Sequence, residues 1–265
     1  MRQGFPLSLR LLREMHALLL RRGRGGGKAP GEFRRAPVWI GGPGLDQAQF
    51  VSPPADRLAD CLAALERFLH ATGDGISPLA RAALAHVQFE TIHPILDGNG
   101  GLGRLLIVLM RCDAGLLEVP SPYLSPYFKS RREEYYRRLD ALRTDGDWEG
   151  SLRFFFEGVA ATSGQAVDTA QRLLRLFQDD RERLRGTGRI AGTALRLHEA
   201  FTRNPLRTTA LLVEETGLSK PTIARGLDAM AGSGMSIREI TGKQGYRIFA
   251  YQPYLDTLSE GAQPL

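Results

Sequence analysis

Four glycines within twelve residues, His93-Pro-Ile-Leu-Asp-Gly-Asn-Gly-Gly-Leu-Gly-Arg104, stand between two apolar runs and constrain this fold more than any other feature. Leu79 to Ile92 carries apolar residues at helical spacing and is entered through Ser77-Pro78, a favourable helix start. Leu105 to Met110 must also be helical if it is to be buried. One helix therefore ends at Ile92, and another begins near Gly98 to Gly100. The intervening loop puts small residues at a helix N-terminus, where unpaired N–H groups and the positive end of the dipole attract anions. Gly98 and Gly100 let the backbone approach a phosphate closely.

The loop's polar residues suit that reading. Asp97 beside a phosphate site is best explained as a ligand for Mg²⁺, because a bare carboxylate would repel the phosphate. Arg104, one turn into the helix, offers a forked donor to a terminal phosphate. His93, at the opposite lip, has the pKa range of a general base for a hydroxyl nucleophile. Two other nucleotide motifs compete. Gly98, Gly100 and Gly103 satisfy GxGxxG with Glu118 at the distance of a ribose carboxylate, but that motif needs a strand before it. A P-loop fails because no Lys-Ser/Thr pair follows the glycines.

Around this centre the chain is mainly α. Leu7 to Leu20 has apolar residues at helical spacing with Ser8 placed to cap, and the basic loop Gly23 to Pro30 ends it. Two short β-prone runs, Val38-Trp39-Ile40 and Ala48 to Val51, flank a Gly/Pro turn and predict a hairpin. Further helices are expected over Ala59 to Ala71, Arg131 to Leu142, Trp148 to Ala161 and Ala166 to Leu184. Arg185 to Gly188 reads as a linker between a domain spanning residues 1–185 and a smaller one spanning 190–256. In the latter, three helical runs (Ala191 to Phe201, Thr209 to Glu215, Ser219 to Ala231) precede two β-rich runs, Ile237 to Ile240 and Tyr246 to Tyr251. Helix–turn–helix followed by a hairpin is the winged-helix order. Ser219 caps the third helix, and Pro221 lies in its first turn.

Composition excludes some classes. No run of about eighteen uncharged apolar residues occurs, so no membrane span is expected. Cys61 and Cys112 are far apart and form no metal-binding pair, which predicts thiols in a reducing cytoplasm. The net charge of +6 is spread over residues 21–35, 131–143 and 172–189 rather than one stripe. On the expected recognition helix and wing, only Lys220, Arg225, Lys243 and Arg247 offer phosphate contacts. That footprint is thin for DNA, and a packing or dimerisation role for the tail is favoured.

His93 to Arg104 resembles the Fic motif, H-x-F-x-D/E-G-N-G-R-x-x-R. The likeness extends to Pro30-Gly-Glu-Phe-Arg34, Trp39-Ile-Gly-Gly42, Phe50 to Pro54, His86 to Ile92, Tyr123-Leu-Ser125, Tyr127-Phe128, Tyr135-Tyr136 and Gly146-Asp-Trp148. The resemblance implies a helical Fic fold whose active loop lies under a β-hairpin flap, and transfer of AMP from ATP to a Ser, Thr or Tyr hydroxyl of a target protein. His93 would be the base and Asp97 the Mg²⁺ ligand. Gly98, Asn99 and Gly100 would form the anion hole, within a nucleotide loop continuing through Gly101, Leu102, Gly103 and Arg104. Tyr135 and Tyr136 would border the nucleobase. Val38, Trp39 and Ile40 would be the flap edge that aligns the target as an added strand, with Trp39 more an anchor in the core than a substrate contact.

Three departures from the pattern matter. Ile95 replaces the motif Phe, which affects packing more than chemistry. Gly101 stands at the first motif Arg, which points to weakened catalysis. No Ser/Thr-x-x-x-Glu-Gly/Asn inhibitory pattern precedes His93, so that segment was lost, belongs to a longer chain, or is supplied by a separate protein. The second functional reading is a decayed, nucleotide-sensing regulator that binds DNA.

Overall fold

The computed structural model describes residues 7–21, 29–118, 124–242 and 247–260. Most of the basic loop after Leu20, together with Tyr123, Lys243 and Tyr246, lies outside the described residues. The first compact unit is Met1–Thr162 and the second Ser163–Leu265.

In the first unit, α1 (Leu9–Leu20) precedes a hairpin of β1 (Trp39–Ile40) and β2 (Phe50–Val51). Then follow α2 (Leu58–His70), α3 (Pro78–Ile92), α4 (Asn99–Asp113), α5 (Ser125–Ser130), α6 (Arg132–Asp145) and α7 (Trp148–Arg185). The expected starts hold. Ser8 Oγ accepts from the Leu11 N–H at 3.2 Å, and Ser77 Oγ from the Ala80 N–H at 3.2 Å, each satisfying a first-turn donor. α3 and α4 form the centre, with Phe89, Ile92, Leu102, Leu106 and Ile107 fully buried between them and their neighbours. Ile95, at the motif's aromatic position, is buried in the same core, where burial of an aliphatic side chain contributes about 1.5–3 kcal/mol.

The hairpin is antiparallel with Trp39 opposite Val51 and Ile40 opposite Phe50, extended by Gln49 N–H to Ile40 O and Ser52 N–H to Val38 O. Trp39 is 37% exposed. It is therefore not the core anchor expected, because a two-residue strand puts its side chain on the solvent face beside exposed Val51.

α7 is one continuous helix where two were expected. Ser163-Gly164 is only a mild local penalty, about 1 kcal/mol for the glycine, and no proline interrupts the ladder. Its portion after Thr162 belongs to the second unit, where Leu184 enters the core and Leu176 and Phe177, partly buried, pack against it.

The second unit continues with α8 (Ala191–Arg203), β3 (Leu206–Thr208), α9 (Thr209–Thr216), α10 (Lys220–Gly232), β4 (Ile237–Glu239), β5 (Ile248–Tyr251) and α11 (Gln252–Ser259). Ser219 caps α10 through the Thr222 N–H, with Pro221 in its first turn. The three strands form one antiparallel sheet in the order β3-β5-β4. β3 and α11 were not expected; β3 is a short strand whose pairing with β5 is long-range. Leu197, Phe201, Leu212, Met230 and Tyr251 make the core, and the Tyr251 hydroxyl donates to buried Asp180 on α7. No helix among the described residues is long and apolar enough to cross a membrane.

Candidate active site

The loop from His93 to Gly98 joins α3 to α4 by two residues in left-handed backbone conformation. His93 closes α3 at φ +47°, ψ +60°, and Gly98 opens α4 at φ +92°. Such a φ is free for glycine and costs roughly 1–2 kcal/mol for other residues, so His93 must be held by its surroundings. Arg34 holds it. The buried guanidinium donates from Nε to His93 O at 2.9 Å and from Nη2 to Ile92 O at 3.2 Å, while the Arg34 N–H donates to Pro94 O at 2.9 Å. The same fork reaches Ala36 O and Pro53 O at the two ends of the hairpin. Burial pulls the Arg34 pKa down.

The other end of the loop is fixed by His16 and Asn99. The Gly31 N–H donates to His16 Nδ1 at 2.9 Å, so the ring proton lies on Nε2 and is donated to Asp97 O at 3.0 Å. The Asn99 side chain closes a ring with Ile95, accepting from its N–H at 3.1 Å and donating to its carbonyl at 2.6 Å. What Asn99 offers a ligand is thus its main-chain N–H, since its amide is spent on the loop. The Leu102 N–H bonds to Gly98 O. The N–H groups of Asn99, Gly100 and Gly101 therefore form the open first turn of α4.

Each glycine has its own reason. A Cβ at Gly100 would lie 3.1 Å from Arg104 Nη1, which folds back over this turn. A Cβ at Gly103 would lie 2.6 Å from Glu90 Oε1 and 3.2 Å from Phe89 Cδ1, so Gly103 permits the close approach of α3 and α4. Leu102 is fully buried and serves the core. At Gly101 a Cβ would meet only the tip of Leu19, at 3.1 Å.

The His93 ring is largely buried, and burial pulls its pKa down to about 4, aided by the nearby cations Arg143 and Arg34. It is neutral at physiological pH. Beneath it lies a buried polar layer. Glu90 is pushed up to about 7 by burial, against the pull of Arg104 and Arg143. His86 Nε2 and the Tyr135 hydroxyl share a 3.0 Å hydrogen bond, and His86 is held at about 4 by burial. Arg143 donates from Nη2 to Glu90 O at 3.1 Å and lies 3.7 Å over the Phe50 ring, joining the hairpin to α3.

The two tyrosines expected at the nucleobase separate. Tyr136 is 43% exposed with Arg132 over its ring, whereas Tyr135 is 9% exposed and stacked on Phe128 at 4.9 Å. Consecutive helical residues point about 100° apart, so one faces out and the other enters the core. Of the hairpin residues, Trp39 is exposed, and Val38 and Ile40 are half-buried. Arg34, His16, Glu90 and Arg143 were given no role from sequence. A signal existed for His16, which lies on the buried stripe Leu12, His16, Leu20 at four-residue spacing. A polar side chain there must find partners.

The model of the Fic/DOC family matches residues 6–110, the segment that holds α1, the hairpin and the loop. Over that segment the chain matches the Fic family. A protein adenylyltransferase Fic of Drosophila grimshawi is 30% identical over 185 residues, covering 68% of this chain and 35% of the relative. That of Drosophila ananassae is 36% identical over 125 residues, covering 47% and 22%. The chain thus spans about a third or less of these relatives. A Fic family protein from Desulfovibrio desulfuricans G20 superposes with a TM-score of 0.56 at 23% identity, covering 94% of this chain and 70% of that structure. Fic-1 from C. elegans gives 0.50 at 24% identity, covering 63% and 44%. These neighbours share the fold.

Proposed function

We propose that this chain is a Fic-type protein adenylyltransferase that moves AMP from ATP to a hydroxyl of a target protein. The observation that carries the reading is the pairing, across one clamped loop, of a neutral buried imidazole at the C-terminus of α3 with the open glycine turn of α4. The names of its relatives point the same way.

The triphosphate would lie on the N–H groups of Asn99, Gly100 and Gly101, where fixed donors stabilise developing charge without reorganisation. Arg104 would reach a terminal phosphate. The donor set suits Mg²⁺: Asp97 supplies a hard carboxylate oxygen at this turn, and such sites are commonly completed by phosphate oxygens and water. Bound Mg²⁺ would neutralise phosphate charge. His93 Nε2 would accept the proton of the target hydroxyl as its oxygen bonds to the α-phosphorus. The bond from that phosphorus to the α,β-bridging oxygen breaks, and pyrophosphate leaves with the electron pair. Val38 to Ile40 offers a strand edge on which a target segment would add. Gly101 lacks the guanidinium of the family motif. One charge-assisted bond of about 1.5–3 kcal/mol corresponds to transfer slowed by roughly ten- to a hundredfold.

The test is labelling with ATP carrying a labelled α-phosphate and Mg²⁺ in a cell lysate, comparing wild type with His93→Ala. Labelling that requires His93, with ATP binding retained in the variant, supports the reading; undiminished labelling by His93→Ala overturns it. We read the second unit as a winged helix, from its order of three helices with a three-stranded sheet. A regulator that binds DNA is the second reading, resting on the exposed Lys220 and Arg225 of α10. A second copy of this chain or a separate inhibitory protein are further partners the family resemblance suggests.

A further inference from the structure

Glu90 lies one helical turn before His93 on α3, and its carboxylate is buried beneath the active loop. Its Oε2 stands 4.0 Å from His93 Nδ1. Both Nδ1 of His93 and Oε1 of Glu90 are buried without a hydrogen-bond partner. A buried polar atom left unpaired costs about 1–3 kcal/mol, so the unpaired Nδ1, with the Glu90 carboxylate as the acidic group beside it, calls for an explanation.

We infer that Glu90 is the positioning residue of this site: its carboxylate accepts the proton on His93 Nδ1, which leaves Nε2 bare for the target hydroxyl. This rests on His93 being the base. The main-chain clamp by Arg34 fixes the backbone of His93 but not its ring. The main-chain carbonyl of Glu90 also acts on the ring, but it already accepts from Arg143 Nη2 at 3.1 Å. Without an acceptor of its own at Nδ1, an imidazole is free to carry its proton on Nε2, where it cannot accept another. Closing the gap takes roughly 1 Å, to the usual 2.8–3.0 Å of such bonds. Catalytic hydrogen bonds are often long in the free enzyme and tighten once substrate binds.

A second observation supports the assignment independently. Gly103 leaves the space that the carboxylate occupies, since a Cβ there would fall 2.6 Å from Glu90 Oε1. The first turns of α4 thus leave room for an acidic group from the preceding helix. The other charged or titratable groups near Glu90 are Arg104 on α4, Arg143 and Tyr135 on α6, and His86 on α3 itself. Arg104 and Arg143 both favour the ionised carboxylate, which is the form that accepts.

The decisive measurement is the tautomer of His93, read by two-bond ¹H–¹⁵N correlation on labelled protein at pH 8, above the value of about 7 to which burial raises Glu90. Wild type should show Nδ1–H with Nε2 bare. E90Q keeps an acceptor oxygen and should retain that pattern, while E90L, of similar volume, should move the proton toward Nε2. In AMP transfer, E90L should lower kcat by roughly a hundredfold, the scale of general-base catalysis, with KM for ATP within about threefold. E90Q should lose about tenfold or less. A proton on Nε2 in wild type, or an unchanged tautomer in E90L, overturns the proposal, and the wild-type spectrum decides even if E90L does not fold. The spectra do not depend on turnover, so they separate failure of this inference from failure of the base assignment, which His93→Ala tests alone.

Discussion

Replacing Arg34 with alanine removes the clamp that joins the hairpin, the end of α3 and the active loop. The guanidinium serves four carbonyls: His93 at 2.9 Å, Ala36 at 3.1 Å, Ile92 at 3.2 Å and Pro53 at 2.5 Å. Charge-assisted bonds contribute about 1.5–3 kcal/mol each, so independent bonds would total roughly 6–12 kcal/mol. They are not independent, because all four share one cation whose burial itself costs several kcal/mol. Arg34→Ala instead leaves buried carbonyls unpaired at about 1–3 kcal/mol each, offset in part because the cation is no longer buried, so a net loss of roughly 3–5 kcal/mol is expected. For a domain of this size, with roughly 2–4 °C per kcal/mol, the transition of the first unit should fall by roughly 6–20 °C. Urea unfolding followed by fluorescence checks the free energy directly. Arg34→Lys restores charge without the planar fork, and an ammonium cannot span four acceptors, so it should recover less than half of the loss. AMP transfer should fall in both variants, because His93 is then released from its left-handed conformation. A loss below about 1 kcal/mol in Arg34→Ala, or a lysine variant as stable as wild type, would refute the clamp.

Other outcomes follow from the same geometry. Acidification should destabilise the first unit: between pH 6.5 and 4.5 the unfolded chain binds protons on His86 and His93, each held at about 4 in the fold, while the fold keeps one extra proton on Glu90 at about 7. Two less one leaves a net single proton favouring unfolding, or roughly 1.4 kcal/mol lost per pH unit; greater stability at pH 5 than at pH 6.5 by urea titration would contradict this. Gly101→Arg should raise AMP transfer about tenfold or more, since a Cβ added there meets only the exposed tip of Leu19. No gain in an initial-rate assay would mean that the site works around glycine. DNA binding by the second unit, measured by gel shift at two salt concentrations, should be weak, with a log–log slope well under the roughly four that Lys220, Arg225, Lys243 and Arg247 would give together. A steep slope lost in Lys220→Ala/Arg225→Ala would favour the regulator reading.

Features whose cause is local were legible in the sequence. Ser8, Ser77 and Ser219 cap helices within three residues of themselves, and the loop glycines are required by the turn from α3 into α4. The hairpin pairs runs close in sequence around a Gly/Pro turn. His93, the glycine turn and Arg104 could be named from one twelve-residue segment, because a helix N-terminus and its preceding loop are contiguous in the chain. What holds that segment in place was decided only by the tertiary structure. Arg34 and His16 act on main-chain carbonyls about 60 and 80 positions away, and a carbonyl has no residue type to read. Helical phase did not assign Tyr135 to the core and Tyr136 to solvent until the packing of α6 supplied the direction of the core. Likewise Glu90 reads as an ordinary acidic residue until α4 closes over it. Burial, which depends on every neighbouring element at once, turns that carboxylate into a partner for His93.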